Sequence, residues 1–354
     1  MQPDRPIADS GRPSIISTAP LKILVVRVSS LGDVVHNMPM LSDLRRHYPK
    51  AQIDWVVEEA YAELVRLNRH VDRIIPFALR RWRRALLSAQ TRAEIHDFLQ
   101  ALGESPYDVV FDTQGLLKTS IVMRLARLAP AGRRVGLANA TAGSGYEPLS
   151  RLLHTDSIAV GLHTHAVERA RLVAADALGY VPEGKAEFGL DAPVVSSTAA
   201  FWLSAMPYVV FFHGTARPAK QWEKPKWISI GKNLTARGLK VLLPWGTPAE
   251  RATAREIAAE IDGAVVLPHL SMMDAVLLAQ RAALVVGVDS GLTHIAAAYE
   301  RRTIELYCDS PRWKTEGSWS PRIVNLGDEG KPPSTSDVTQ AIDFLLGIDD
   351  PSTR

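Results

Sequence analysis

Val25-Val26-Arg27-Val28-Ser29-Ser30-Leu31-Gly32-Asp33-Val34-Val35-His36 is a β-rich apolar run that breaks at Ser-Ser-x-Gly-Asp and resumes with helical spacing. This is the pattern of a strand, a tight loop and a helix start. Gly32 lets backbone approach a ligand closely, and Asp33 follows where the new helix presents its free N–H groups. Two roles stay open for Asp33 on this stretch alone. An aspartate at a helix start stabilises the helix with no function attached, or it is the working acid/base group.

Outward from this stretch, strand-like runs alternate with amphipathic ones. Lys22–Val28, Ile53–Val57, Arg73–Pro76 and Val109–Asp112 read as strands, with helices over Val34–His47, Ala60–Leu67, Thr91–Leu102, Leu117–Leu128 and Thr164–Leu178. A turn at Tyr180–Gly184 follows, and the pattern restarts. Tyr208–Phe212, Leu239–Pro244, Ala264–Leu267, Leu284–Val288 and Thr303–Tyr307 read as strands, with helices over Lys226–Ala236, Pro248–Ile261, Met272–Gln280 and Leu292–Tyr299. Alternation of this kind makes parallel sheets covered on both faces. At 354 residues the chain exceeds the size of a single core, so an α/β protein of two doubly wound lobes with a cleft between them is expected. The expected divisions are a flexible tail over 1–20, a first lobe over 21–182, a second over 183–337, and a helix and tail over 338–354.

A net charge of +3 gives no general argument for nucleic acid. The arginines are unevenly spread, however: Arg66, Arg69, Arg73, Arg80, Arg81, Arg83 and Arg84 lie close together with few acids between them, which points to an anionic partner. Cys308 is the single cysteine, so no internal disulfide forms, as suits a reducing cytosol. The first 20 residues lack an apolar segment long enough for a signal peptide or a spanning helix, and a cytoplasmic protein is expected. Walker, GxGxxG, Cys-x-x-Cys and His-Glu-x-x-His motifs are missing, which removes the commonest nucleotide and zinc explanations.

Several segments fall at expected strand ends, where ligands bind in such sheets. In Val285–His294, the N–H groups of Ser290, Gly291 and Leu292 at the positive end of a helix would cradle a diphosphate; a capped helix that binds nothing fits equally well. His294 reads first as a packed helix histidine. In His213–Trp222, Thr215 can donate to phosphate oxygens, and Lys220 supplies a compact cation for a leaving diphosphate or is a solvated surface lysine. Trp245 offers an apolar wall beside a base, and Glu250 an acceptor for hydroxyls or an exocyclic amine. Arg80-Arg81-Trp82-Arg83-Arg84 joins guanidinium forks to an aromatic, as a site for an acidic, lipid-linked substrate would. His165, Glu168 and Arg169 share a helical face that either lines the cleft or forms a solvated ion-paired surface.

Ser29–His36, Arg80–Arg84, His165–Arg171, Lys220-Gln221-Trp222, Leu243-Pro244-Trp245-Gly246 and Asp289–His294 together resemble the lipopolysaccharide heptosyltransferases. With Trp55-Val56-Val57-Glu58-Glu59, they are most similar to the type I members. The resemblance spans about Leu21 to Leu346. It implies a GT-B glycosyltransferase that moves L-glycero-D-manno-heptose from ADP-heptose to the inner Kdo of Kdo2-lipid A with inversion. Type II or III activity, another sugar nucleotide, or a non-catalytic nucleotide-sugar or anionic-lipid binding protein are the alternatives.

The resemblance further implies a monomer touching the cytoplasmic face of the inner membrane, with no cofactor, no metal and no nucleic acid. Asp33 becomes the base. Ser29, Ser30, Gly32, Arg80, Arg81, Arg83, Arg84, His165 and Arg169 become the acceptor side. Thr215, Lys220, Trp245, Glu250, Asp289, Ser290, Gly291, Leu292 and His294 become the donor side. The chain departs from the family at Ala216, where a second phosphate-binding hydroxyl is common, and at Arg84, where a lysine is common. Arg81→Ala and Arg83→Ala are expected to weaken acceptor use and spare the donor.

Overall fold

The apolar runs pair as parallel strands and the segments between them cross over as helices. The computed structural model describes residues 20–195 and 206–347. The first lobe comprises β1 (Lys22–Val26), α1 (Leu31–His47), β2 (Gln52–Glu58), α2 (Ala62–Arg66), β3 (Arg73–Phe77), α3 (Leu79–Trp82), α4 (Ala89–Gly103), β4 (Tyr107–Asp112), α5 (Leu117–Leu125), β5 (Leu128–Leu137), β6 (Asp156–Ile158) and α6 (Ala166–Leu178). The second comprises β7 (Tyr208–Phe212), α7 (Lys224–Ala236), β8 (Lys240–Leu243), α8 (Pro248–Ala258), β9 (Val265–Val266), α9 (Met272–Arg281), β10 (Leu284–Val288), α10 (Gly291–Ala298), β11 (Thr303–Tyr307), β12 (Ile323–Gly327) and α11 (Thr335–Gly347).

The strand orders are β3-β2-β1-β4-β5-β6 and β9-β8-β7-β10-β11-β12, all parallel. Both sheets therefore reverse direction at their centre, between β1 and β4 and between β7 and β10, where a crevice opens at the strands' carboxyl ends. The central strands are buried on both faces; every residue of β7 and β10 is sealed from solvent, which is why they read as unbroken apolar runs.

Three strands were not foreseen. β5 reads Leu-Ala-Pro-Ala-Gly-Arg-Arg-Val-Gly-Leu and shifts register against β4, so proline, glycine and arginines interrupt its apolar signal. β6 and β12 are edge strands, one only three residues long and the other half-buried. The division expected at residue 183 falls within a segment still bonded to the first lobe: Asn68 pairs with Leu190, and Arg69 N–H donates to Gly189 O at 2.9 Å. α11 packs its Val338, Ile342 and Leu345 on the second lobe. Residues 1–19 of the tail expected over 1–20, and the end of the last segment, 348–354, lie outside the described residues.

The lobes meet where the first turns of α1 and α10 press together. A Cβ on Gly291 would sit 2.6 Å from Leu31 Cγ, and one on Gly32 would sit 3.2 Å from His294 Cδ2. The absent side chain at Gly32 thus serves the approach of the other lobe, where the sequence suggested approach to a ligand.

Candidate active site

The loops after β1 and β4 form one wall of a cleft of about 230 Å³, lined by Arg27, Ser29, Ser30, Asp33, Gln114, Leu116, Lys118, Gly143, Ser144, Gly145, Arg169 and Lys314. Asp33 keeps about a third of its side chain exposed there. Its Oδ2 accepts from Ser30 N–H at 3.0 Å and Ser30 Oγ at 2.9 Å, while Oδ1 meets Arg27 Nη2 at 2.6 Å. The carboxylate therefore caps its own helix and lines the cleft at once, so capping does not take it out of reach of a ligand there. Burial pushes its pKa up, but the Arg27 guanidinium, the Ser30 N–H, Arg169 and His36 outweigh burial and hold the carboxyl well below the usual carboxylate range.

Arg27 is buried and anchored by donating to Thr113 O at 2.5 Å. Arg169 is likewise buried and donates to Thr141 Oγ1 at 2.8 Å; burial, with the nearby Arg27 charge, pushes it down to about 10, still a cation at neutral pH. Lys118 reaches Ser29 Oγ at 3.5 Å, and Lys314 crosses from the second lobe to donate to the Gly143 carbonyl. Burial lowers both ammonium groups from their ordinary value. Four cations thus line the cleft with Asp33 as the one carboxylate among the lining residues, and Arg27 is the one that contacts it directly. The cleft thus carries a surplus of positive charge beside a carboxylate.

Across the lobe contact, Asp289 follows β10 and is almost fully enclosed. It accepts from Lys220 Nζ, from Ser310 Oγ at 2.6 Å and from His294 Nε2 at 3.0 Å. Burial would raise its pKa; His294 and then Lys220 hold it far below the carboxylate range. His294 also bonds Glu305 Oε1 through Nδ1 at 2.9 Å. Burial would lower the imidazole, yet Glu305 and Asp289 together raise it to about 10, so it is a buried imidazolium clamped between two carboxylates. His36 lies against it, ring centroids 4.5 Å apart and planes tilted by 55°, and is kept neutral, its pKa driven well below the histidine value by burial and by the His294 charge.

His165 caps α6, its Nδ1 accepting from Val167 N–H at 3.2 Å, which leaves Nε2 to donate to Glu316 O of the second lobe at 3.1 Å. Of the expected face, Arg169 enters the cleft, whereas Glu168 turns to Arg171, which holds buried Asp43 at 2.7 Å. Arg169 thus follows the cleft-lining alternative, whereas Glu168 pairs with an arginine that is itself buried, so that pair is not the solvated surface expected.

The arginine cluster also divides. Arg81 is held by Glu59 and Glu94, at 2.8 and 2.6 Å, and Trp82 is buried against Phe77 and Phe98 with its Nε1–H on Glu94. Arg80 lies 3.5 Å from Glu58, while Arg83 and Arg84 are exposed.

Among the residues expected on the donor side, Trp245 donates to Leu267 O at 2.7 Å and carries Arg251 over its ring. Glu250 Oε2 accepts from Gly246 and Thr247 N–H, capping α8, and its carboxyl leans over Gly214, where a Cβ would be only 2.7 Å away. Thr215 is half-buried and Ala216 exposed; Ser290 Oγ sits 3.0 Å from Thr293 Oγ1, and Leu292 is partly buried at the lobe contact.

Sequence reasoning missed Arg27, Gln114, Lys118, Lys314 and Glu305. Arg27 interrupts an apolar strand at its carboxyl end, and Thr113-Gln114 follow another such end; both positions carried a usable signal. Lys314 sits in a loop with none. Among the described residues, no group of three or more His, Cys, Asp or Glu side chains is placed to hold a metal ion, and no helix is long and apolar enough to cross a membrane.

Two facing doubly wound lobes, with a carboxylate in a cationic cleft on one and an enclosed acidic loop beside a lysine on the other, have the architecture of a GT-B glycosyltransferase. The family model of glycosyltransferase family 9 (heptosyltransferase) matches residues 95–341, and the chain belongs to that family. It is similar to Lipopolysaccharide heptosyltransferase 1 of Pseudomonas aeruginosa, at 38% identity over 87% of this chain and 84% of that one. The protein of that name in Salmonella typhimurium is 37% identical, covering 81% and 88%. Among solved structures, E. coli heptosyltransferase WaaC with ADP superposes with a TM-score of 0.78 at 32% identity, covering 92% of this chain and all of that one.

Proposed function

We propose that this chain transfers L-glycero-D-manno-heptose from ADP-heptose to the inner Kdo of Kdo2-lipid A, with inversion, at the cytoplasmic face of the inner membrane. The observation that carries the acceptor half is the cleft, where Lys118, Arg169 and Lys314 remain as cations beyond the Arg27–Asp33 pair. An acceptor sugar bearing a carboxylate fits that surplus, with its hydroxyl next to Asp33. The similarity to proteins named heptosyltransferase 1, and to WaaC solved with ADP, supports the donor and the subtype.

Inversion needs one displacement. The acceptor oxygen attacks the anomeric carbon as the bond to the diphosphate breaks, the electron pair leaves on ADP, and the hydroxyl proton passes to Asp33. A carboxylate held so far below its usual range is a weak base, so it acts late, when the attacking oxygen has become acidic. Lys220 and the start of α10 are the groups suited to the diphosphate; Lys220 then exchanges part of its bond to Asp289 for a phosphate oxygen. Mass spectrometry of the product after offering Kdo2-lipid A and heptosyl-Kdo2-lipid A in parallel tests the whole assignment. Preference for the second acceptor would make the enzyme a type II transferase.

Charge at the leaving group comes from protein in this scheme, with no metal. Turnover is expected to be unchanged in excess EDTA; loss of activity that returns with a divalent ion would overturn this. The arginine cluster should divide as its contacts do. Arg83→Ala or Arg84→Ala is expected to raise the acceptor KM about tenfold, the worth of one charge-assisted contact, with ADP-heptose affinity unaltered. Arg81→Ala should instead lower the melting temperature, because its guanidinium ties α3 to Glu59 and Glu94. Steady-state kinetics beside thermal melts separate the two.

A further inference from the structure

Helix α5 buries Thr119, Ser120, Val122 and Met123 but leaves Leu117, Ile121 and Leu125 exposed. Spaced four residues apart, these three form one stripe along the helix. The 3₁₀ turn Pro148–Leu153 packs beside α5, tied to it where the Leu117 N–H donates to Glu147 Oε2 at 2.5 Å, and adds Leu149 and Leu152, the latter 80% exposed. Single exposed apolar side chains are ordinary, but five on adjoining elements make a patch that a monomer in water rarely keeps without a use.

The surroundings say which use. Arg124 and Arg127 flank the stripe and Arg151 sits between the two leucines of the turn, all exposed. The one carboxylate within these two elements and their junction, Glu147, is occupied by the helix N-terminus. The stripe is also continuous with the cleft: Leu116 and Lys118, at the start of the same helix, line it. Arg83, whose charge is felt at Lys118, leads into a loop carrying Leu86 and Leu87, the latter 89% exposed. Apolar side chains inside a basic rim, beginning at the mouth of an anion-binding cleft, match an anionic lipid surface, with alkyl groups entering the acyl boundary and arginines meeting phosphates.

We propose that the α5 face, with the Pro148–Leu153 turn, is where the protein lies on an anionic bilayer, so that a membrane-held acceptor reaches Asp33 along the helix. This rests on the cleft being the acceptor site, as argued above. The test is co-sedimentation of the full chain with vesicles of phosphatidylethanolamine and phosphatidylglycerol, against phosphatidylcholine alone. The variant Ile121→Asn/Leu125→Asn/Leu152→Asn is expected to partition onto the anionic vesicles about tenfold or more weakly than the unaltered protein. Arg124→Gln/Arg151→Gln, which leaves the stripe intact, should bind about fivefold less per arginine at low salt, a difference that disappears at high salt. Both should keep their melting temperature and their turnover of a deacylated, water-soluble acceptor.

Equal vesicle binding by the triple variant and the unaltered protein overturns the proposal. So does indifference of the unaltered protein to phosphatidylglycerol, or a dimer in solution that the triple variant dissociates, which would make the face a contact between copies. Failure of the unaltered protein to use the soluble acceptor would count against the functional assignment and leave the vesicle result standing by itself.

Discussion

Asp33→Asn is expected to lower turnover by about 10²–10⁴-fold, the worth of a positioned base, while ADP-heptose affinity stays near that of the unaltered enzyme. The structure makes this a demanding test because Asp33 also caps α1 through Ser30. An asparagine oxygen can keep the bond from Ser30 N–H, so the helix start survives; what disappears is the charge facing Arg27 and the cleft. Melting temperature and turnover should therefore separate, with a small change in the first and a large one in the second. A comparable loss in both, or near-normal turnover in a less stable protein, would mean that capping is the whole role. The pH profile adds a second check. Because Arg27 and the Ser30 N–H hold the carboxyl below its usual range, Asp33 stays ionised as pH falls through the values at which an ordinary aspartate protonates. The rate should show no acid limb near the usual carboxylate pKa, and Arg27→Gln, which removes the main opposing charge, should introduce one.

How much of this was legible beforehand follows from what each residue does locally. The central strands announced themselves because both faces are buried, and the two strand-loop-helix starts, at Ser29–Asp33 and Asp289–Gly291, carry punctuation that survives translation into three dimensions. Strands β5, β6 and β12 did not, since an edge or bulged strand with arginines and an asparagine lacks the periodicity that identifies a strand. The site was legible as loops but not as pairings. Nothing in the spacing of His294, Asp289 and Glu305 says that one imidazole bridges a carboxylate five residues before it and another eleven after it, on the neighbouring strand. Nor could local sequence show that Arg81 is spent on Glu59 and Glu94, that Gly32 accommodates His294, or that Lys314 reaches across to the first lobe. The Arg81 pairs depend on how α3 packs against α4 and the segment after β2 within one lobe, and the other two facts on how the lobes meet, through residues far apart in the chain.

The buried imidazolium gives the other large effect. His294→Ala would leave Asp289 and Glu305 enclosed with one cation, Lys220, for two carboxylates, and removing one partner of a buried charge network typically costs about 3–5 kcal/mol. Unfolding by denaturant should report a loss of that order. Lys220 and Ser310 still hold Asp289 Oδ2, so the loop does not simply collapse, but Oδ1 loses the 3.0 Å imidazole bond and keeps the Thr315 hydroxyl at 3.5 Å, a looser hold on the carboxylate. The donor KM should rise more than the acceptor KM if Asp289 faces the heptose. His294→Gln, which retains a donor without the charge, should restore part of the kinetic loss and little of the stability. The sign of the pH dependence follows from the raised pKa. Folded His294 keeps its proton up to about 10, whereas in the unfolded chain it loses it near 6.5, so the folded state binds more protons between those values. The contribution of His294 is fully present below about pH 6.5 and is lost as pH rises toward 10. Neutral, buried His36 works in the opposite direction and on the acid side: its folded pKa is depressed, so its contribution is present above the unfolded value and falls away as pH drops. Denaturant midpoints measured from pH 5 to 10 should therefore decline on the alkaline side in the unaltered protein and flatten there in His294→Ala. An alkaline decline of equal slope in both would place the imidazole in its neutral form and remove the imidazolium from the network.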